Sequence, residues 1–194
     1  LSRGLGDVYK RQVVVTNNAS IAMLGTINGA NAASTWINAS GSSLSVNGTT
    51  PMATGILDAS ASINNFTYGG GNQTIKSGTY HNINFIGSGT KTIPDIVVNG
   101  SLSRTAVALS FSGSSLTFES SSAGILNLGG TSITFPNVVV NKPGGSITIN
   151  AGGVITTTLA SLSISDGELD FGSTATTVRV NGTLSGAGTI DVSG

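Results

Sequence analysis

The sequence predicts an all-β fold: a parallel β-helix, a solenoid with coils of about 22 residues and three short strands per coil. Three observations predict it. Phe118, Val140, Leu162 and Leu184 stand at an unbroken interval of 22, and Leu126, Ile147, Leu169 and Ile190 run in step at 21 or 22. Apolar residues come as alternating pairs, such as Leu126/Leu128, Ile147/Ile149, Leu162/Ile164 and Val178/Val180, which places each pair on one face of a strand. Between the pairs stand turn residues: Asn47-Gly48, Asn99-Gly100, Asp166-Gly167, Asn181-Gly182 and the Pro143-Gly144-Gly145 break. Helical spacing is nowhere sustained, and the 28 glycines oppose helix at about 1 kcal/mol each in a helix interior.

From the N-terminus, Ser2 to Gln12 reads SRGLGDVYKRQ and resembles the translated adapter of a transposon-based DNA sequencing library. Residues 1–12 are therefore expected to be a non-biological scar and are set aside from fold reasoning. Residues 13–194 are expected to form a single β-helix fragment truncated at both ends, with Asp191-Val192-Ser193-Gly194 inside a repeat.

Residues 13 to 60 repeat least clearly. Beyond them, Asn65-Phe66-Thr67-Tyr68 leading to Thr74-Ile75 is echoed by Asn82-Ile83-Asn84-Phe85 leading to Thr92-Ile93. Asn99-Gly100-Ser101-Leu102-Ser103 returns as Asn181-Gly182-Thr183-Leu184-Ser185. One period reads Ile147/Ile149, Val154/Ile155 and Leu162/Ile164 before the next coil opens at Leu169/Phe171. A strand this short cannot bury its apolar pair alone. Stacked about 4.8 Å apart, equivalent strands gain hydrogen-bonded neighbours above and below and line the coil with aliphatic side chains. The alternative is a β-sandwich, which also uses short strands but needs no fixed interval. Leucine-rich repeats share the period, yet pair one strand with a distinct convex segment.

Composition narrows the function classes. Without residues 1–12, five Lys or Arg stand against seven Asp or Glu, a formal charge of −2 that offers no basic surface to nucleic acid. At 8% charged and 38% hydrophobic residues, the chain is too apolar for a solvated disordered polymer. No apolar run approaches the roughly 20 residues of a membrane-spanning helix. The absence of cysteine removes disulfide and thiolate chemistry and fits any compartment.

The segments Tyr80-His81-Asn82-Ile83-Asn84-Phe85, Gly87-Ser88-Gly89-Thr90-Lys91-Thr92-Ile93, Ile96-Val97-Val98-Asn99-Gly100-Ser101-Leu102 and Gly182-Thr183-Leu184-Ser185-Gly186-Ala187-Gly188-Thr189-Ile190-Asp191 resemble the β-strand-repeat surface proteins of bacteria. These are adhesin-like proteins and autotransporter passengers. The resemblance implies export to the cell surface or the extracellular space, a β-helical stalk, and a structural or adhesive role. Surface glycans or a host or biofilm matrix are the partners it implies. The family has no shared catalytic residues.

Parallel β-helices also house carbohydrate-active enzymes and binding modules, so the alternative is a carbohydrate-binding or carbohydrate-active protein. Such an enzyme needs convergent carboxylates. The one acidic cluster is Asp166-Gly167-Glu168-Leu169-Asp170, where alternation places Glu168 and Asp170 on one outer face about 6–7 Å apart. A solvated turn and strand would look the same; a weak calcium site and a catalytic pair are the other readings. The single His81 cannot make a multi-histidine metal site and reads as a turn or surface residue. No catalytic, cofactor or metal residue is assigned, and the chain is not expected to be an enzyme. The aromatics Trp36, Phe66, Tyr68, Tyr80 and Phe85 would suit a glycan if exposed but read as core fillers or coil caps. Thr90/Thr92 and Thr156/Thr157/Thr158 do not recur at the common interval, which disfavours an ice-binding face. Asn38-Ala39-Ser40 and Asn99-Gly100-Ser101 match the glycosylation pattern by composition alone.

Overall fold

Alternating side chains need a surface to be buried against, and in this chain each coil supplies that surface to the next. The structure, a computed structural model, describes residues 13–29, 31–105, 107–172 and 176–192. The expected scar, residues 1–12, lies outside them, as do Ser193 and Gly194. Among the described residues there is no helix, and short strands follow one another from Val14–Asn17 to Thr189–Asp191. All pairings are parallel, as a solenoid requires and a hairpin-built sandwich would not allow. About eight turns are completed, and residues 13 to 60 belong to the same coil as the rest.

Three faces result. The first holds Val14–Asn17, Thr35–Asn38, Ile56–Ala59, Gly78–Tyr80, Ile96–Val98 and Ser115–Glu119; the second holds Ser20–Met23, Ser43–Val46, Asn65–Tyr68, Asn82–Phe85, Leu102–Arg104 and Gly124–Asn127. These twelve strands, the long strands Ile133–Asn150 and Ile155–Asp170, and the last three, Thr176–Val180, Leu184–Gly186 and Thr189–Asp191, form one continuous 17-stranded sheet. The two long strands bend through two corners each. The third face is discontinuous. Ile27–Asn28 pairs only with Met52–Ala53, and Gln73–Thr74, Thr90–Ile93 and Ala108–Phe111 form a separate three-stranded sheet.

The register departs from the uniform interval read in the sequence. Coil length ranges from 17 residues between Asn65 and Asn82 to 25 between Ile27 and Met52, and is 24 between Asn137 and Ser161. Phe118, Val140, Leu162 and Leu184 therefore do not form one vertical file. Phe118 and Val140 stack beneath Ile164, while Leu162 and Leu184 stack above Val138 in the neighbouring file. The two-residue slip keeps every side chain inward, because only an odd shift would turn the strand over. Leu116, Phe118, Val138, Val140, Leu162 and Ile164 are all buried.

The second set slips in the same way. Ile147, Leu169 and Ile190 share a file, but Leu126 sits below Ile149. Ile147 instead lies over Gly124, where an added Cβ would stand 2.8 Å from its Cδ1 and 2.0 Å from the Gly100 carbonyl oxygen. Only glycine lets these coils approach so closely. Val154 is a further correction: it points outward and is exposed, while Ile155, Thr157 and Leu159 take the inward positions of that strand.

Candidate functional site

Glu168 and Asp170 do lie on one outward face of the strand Ile155–Asp170, flanking buried Leu169. Their surroundings separate them. Asp170 accepts a hydrogen bond from the Thr148 hydroxyl at 3.0 Å and from the Gly172 N–H at 2.7 Å, so both its oxygens are engaged in holding a turn to the coil below. Glu168 instead lines a groove of about 570 Å³ with Asp166, Gly144, Gly188 and Thr189. Asp166 accepts from the Gly167 N–H at 2.7 Å. Asp191 stacks in register above Asp170. Among the described residues no group of three or more His, Asp or Glu is placed to hold a metal ion.

The aromatic residues lie in the core. Phe66, Tyr68, Tyr80 and Phe85 are fully buried and Trp36 nearly so. Phe66 packs against Tyr68 and Tyr80 with ring centroids 4.9 and 5.4 Å apart, and Tyr68 against Phe85 at 6.1 Å. The two phenols form a relay with a defined direction. The Lys76 carbonyl can only accept, so the Tyr80 O–H at 2.5 Å donates to it; the Tyr68 O–H, 2.8 Å away, then donates to Tyr80. The Lys76 N–H closes the loop by donating to the Tyr68 oxygen at 3.2 Å. Burial pushes the ionisation of both phenols upward.

His81 is half-buried at the corner between the first two faces. Burial, then the nearby Lys142 charge, pull its pKa below the ordinary histidine value. Asn38 is buried and accepts from the Asn17 side-chain amide at 2.7 Å. Of the threonines, Thr92 stacks outward between Thr74 and Ser110, and Thr158 between Thr134 and Arg179, while Thr157 points inward.

Three cations turned toward the coil interior, and the half-buried Lys76, were not singled out from the sequence. Lys91 is fully buried, and its ammonium donates to the carbonyls of Gly70, Gly71 and Ser88 at 2.5, 2.8 and 3.3 Å and to Gln73 Oε1 at 2.8 Å. Lys142, also fully buried, donates to the carbonyls of Asn99 and Glu119, both at 2.8 Å, and thereby ties three successive coils. Its burial lowers its pKa to about 8. Lys76 donates to the Thr54 carbonyl at 2.8 Å. Arg104 donates through its two terminal nitrogens to the carbonyls of Val107 and Thr131, while its buried Nε–H has no partner. Alternation was the signal for three of them: Lys91 shares parity with Ile93, Arg104 with Leu102, and Lys142 with Val140.

No known protein family, curated protein or solved structure matches the chain. No helix among the described residues is long and apolar enough to cross a membrane.

Proposed function

We propose that the chain is the structural and adhesive repeat region of an exported bacterial surface protein, acting as a stiff spacer. The observation that carries this reading is the unbroken parallel stack of the first two faces from Val14–Asn17 to Thr189–Asp191, held by a continuous apolar core. About eight turns at roughly 4.8 Å rise give a rod of about 40 Å. Bending such a rod requires breaking ladder bonds, whereas a Gly/Ser chain of equal length has an r.m.s. span of about 75 Å and holds no fixed direction. Outward files such as Ser45, Thr67, Asn84, Ser103 and Asn127 give the rod a small, polar, weakly charged exterior. Such an exterior limits lateral association while leaving the rod free to project a binding element.

The test is to display the chain on bacterial cells between a surface anchor and a glycan-binding reporter, and to measure attachment to glycan-coated glass under flow. Replacing the chain by a Gly/Ser linker of about 50 residues, whose r.m.s. span of about 40 Å matches the rod, is expected to lower attachment severalfold because it holds the reporter in no fixed direction. Equal attachment through the flexible linker would defeat the spacer reading.

A further inference from the structure

The third face is broken between Ala108–Phe111 and the start of Ile133–Asn150. The former pairs only with Thr90–Ile93, and the latter only with the coil above it through Ile155–Asp170. The aromatic pair Phe111 and Phe135, with centroids 5.3 Å apart, closes one end of the gap. The remainder is a cavity of about 400 Å³ lined by Arg104, Val107, Leu109, Ser132, Ile133 and Thr134. Arg104 stands in the inward file that holds Val46, Tyr68 and Phe85 in the coils below, and only 4% of it is exposed. Its two terminal nitrogens are bound by carbonyls, but its Nε–H has no acceptor among the described residues.

A guanidinium held out of water without a counter-charge is costly, and a bound anion would offset that cost. The Nε edge of arginine matches the paired oxygens of a carboxylate or sulfate group. Ser132 and Thr134 are exposed at the mouth and supply hydroxyls. The geometry points to a binding site for a small oxyanion in this cavity, held by Arg104 at its buried end and admitting a ligand up to the size of an acidic monosaccharide.

The test is a titration of the intact isotope-labelled chain followed by NMR, reading the Arg104 Nε–H resonance and the amides of Leu109, Ile133 and Thr134. The probes are sodium acetate, sodium sulfate, D-glucuronate and, as the uncharged counterpart of the last, D-glucose. Saturable shifts with at least one oxyanion and none with glucose are expected. Acetate and glucuronate without sulfate would identify a carboxylate as the source, and sulfate alone a tetrahedral oxyanion. Arg104→Gln should abolish the shifts. Thr134→Trp, which narrows the mouth without touching the guanidinium, should weaken binding at least tenfold if the arginine variant fails to fold. No saturable shift with any oxyanion up to roughly 50 mM, or unchanged binding in Arg104→Gln or Thr134→Trp, would overturn the site.

Discussion

Removing the Tyr80 hydroxyl is expected to cost more than removing both hydroxyls of the Tyr68–Tyr80 pair. The direction of the relay dictates this. In Tyr80→Phe, the Tyr68 O–H loses its acceptor inside a fully buried cluster, at about 2 kcal/mol; the Lys76 carbonyl loses its donor at about 1 kcal/mol, because Lys76 is half-buried. The total is about 3 kcal/mol. In Tyr68→Phe, Tyr80 keeps its acceptor and only the Lys76 N–H is left unpaired, at about 1 kcal/mol. The double variant leaves the two backbone groups of Lys76 unpaired but no stranded hydroxyl, at about 2 kcal/mol. Adding Tyr68→Phe to Tyr80→Phe should therefore restore about 1 kcal/mol, or about 2–4 °C in melting temperature for a chain of this size. Urea unfolding followed by circular dichroism, with Trp36 fluorescence as a second probe of two-state behaviour, measures all four corners of the cycle. Additive losses, or a double variant less stable than Tyr80→Phe, would refute the assigned proton order.

Three further outcomes are expected. Thr157 stands between Ile133 and Val178 with its buried hydroxyl unpartnered, so Thr157→Val should stabilise the chain by about 1 kcal/mol in the same urea assay. Burial lowers Lys142 to about 8 in the folded chain against 10.5 for the free side chain, so between these values the unfolded chain binds the extra proton and stability rises with pH. Melting temperature should increase from pH 7.5 to 9.5, and Lys142→Met should flatten most of that increase; an identical increase in the variant would contradict the assignment. Lys91→Met removes four hydrogen bonds, although the Gly70 carbonyl keeps the Ser88 N–H and Gln73 Oε1 keeps the Gly70 N–H, and should destabilise the chain by about 2–4 kcal/mol in urea, whereas a loss below about 0.5 kcal/mol would mean that water replaces the ammonium at no cost.

Strand alternation and an interval near 22 made the solenoid legible, since both arise from burying one side of short strands against copies of themselves. The files were not legible at residue level. The coil from Asn137 to Ser161 takes 24 residues, and nothing local in Val140 or Leu162 tells that extra length from a regular repeat. The outward placement of Glu168 and Asp170 was readable from Leu169 and Phe171, but not the Thr148 contact that occupies one oxygen of Asp170, because it comes from the coil below. Lys91, Arg104 and Lys142 were readable in principle: each breaks an inward run of apolar residues. The cavity beside Arg104 was not, because it depends on a ladder failing to form between Ala108–Phe111 and Ile133.

The lysine clamps give the rod a time order as well as a polarity. Lys76 reaches Thr54, Lys91 reaches Gly70, Gly71, Gln73 and Ser88, and Lys142 reaches Asn99 and Glu119, so every acceptor precedes its ammonium in the chain. Of these four cations, Arg104 alone reaches forward, to Val107 and Thr131. A polypeptide emerging N-terminus first, from a ribosome or through a secretion pore, lays down each set of carbonyls before the latch that fastens them arrives. Each new winding locks the chain already spooled without waiting for later windings to emerge.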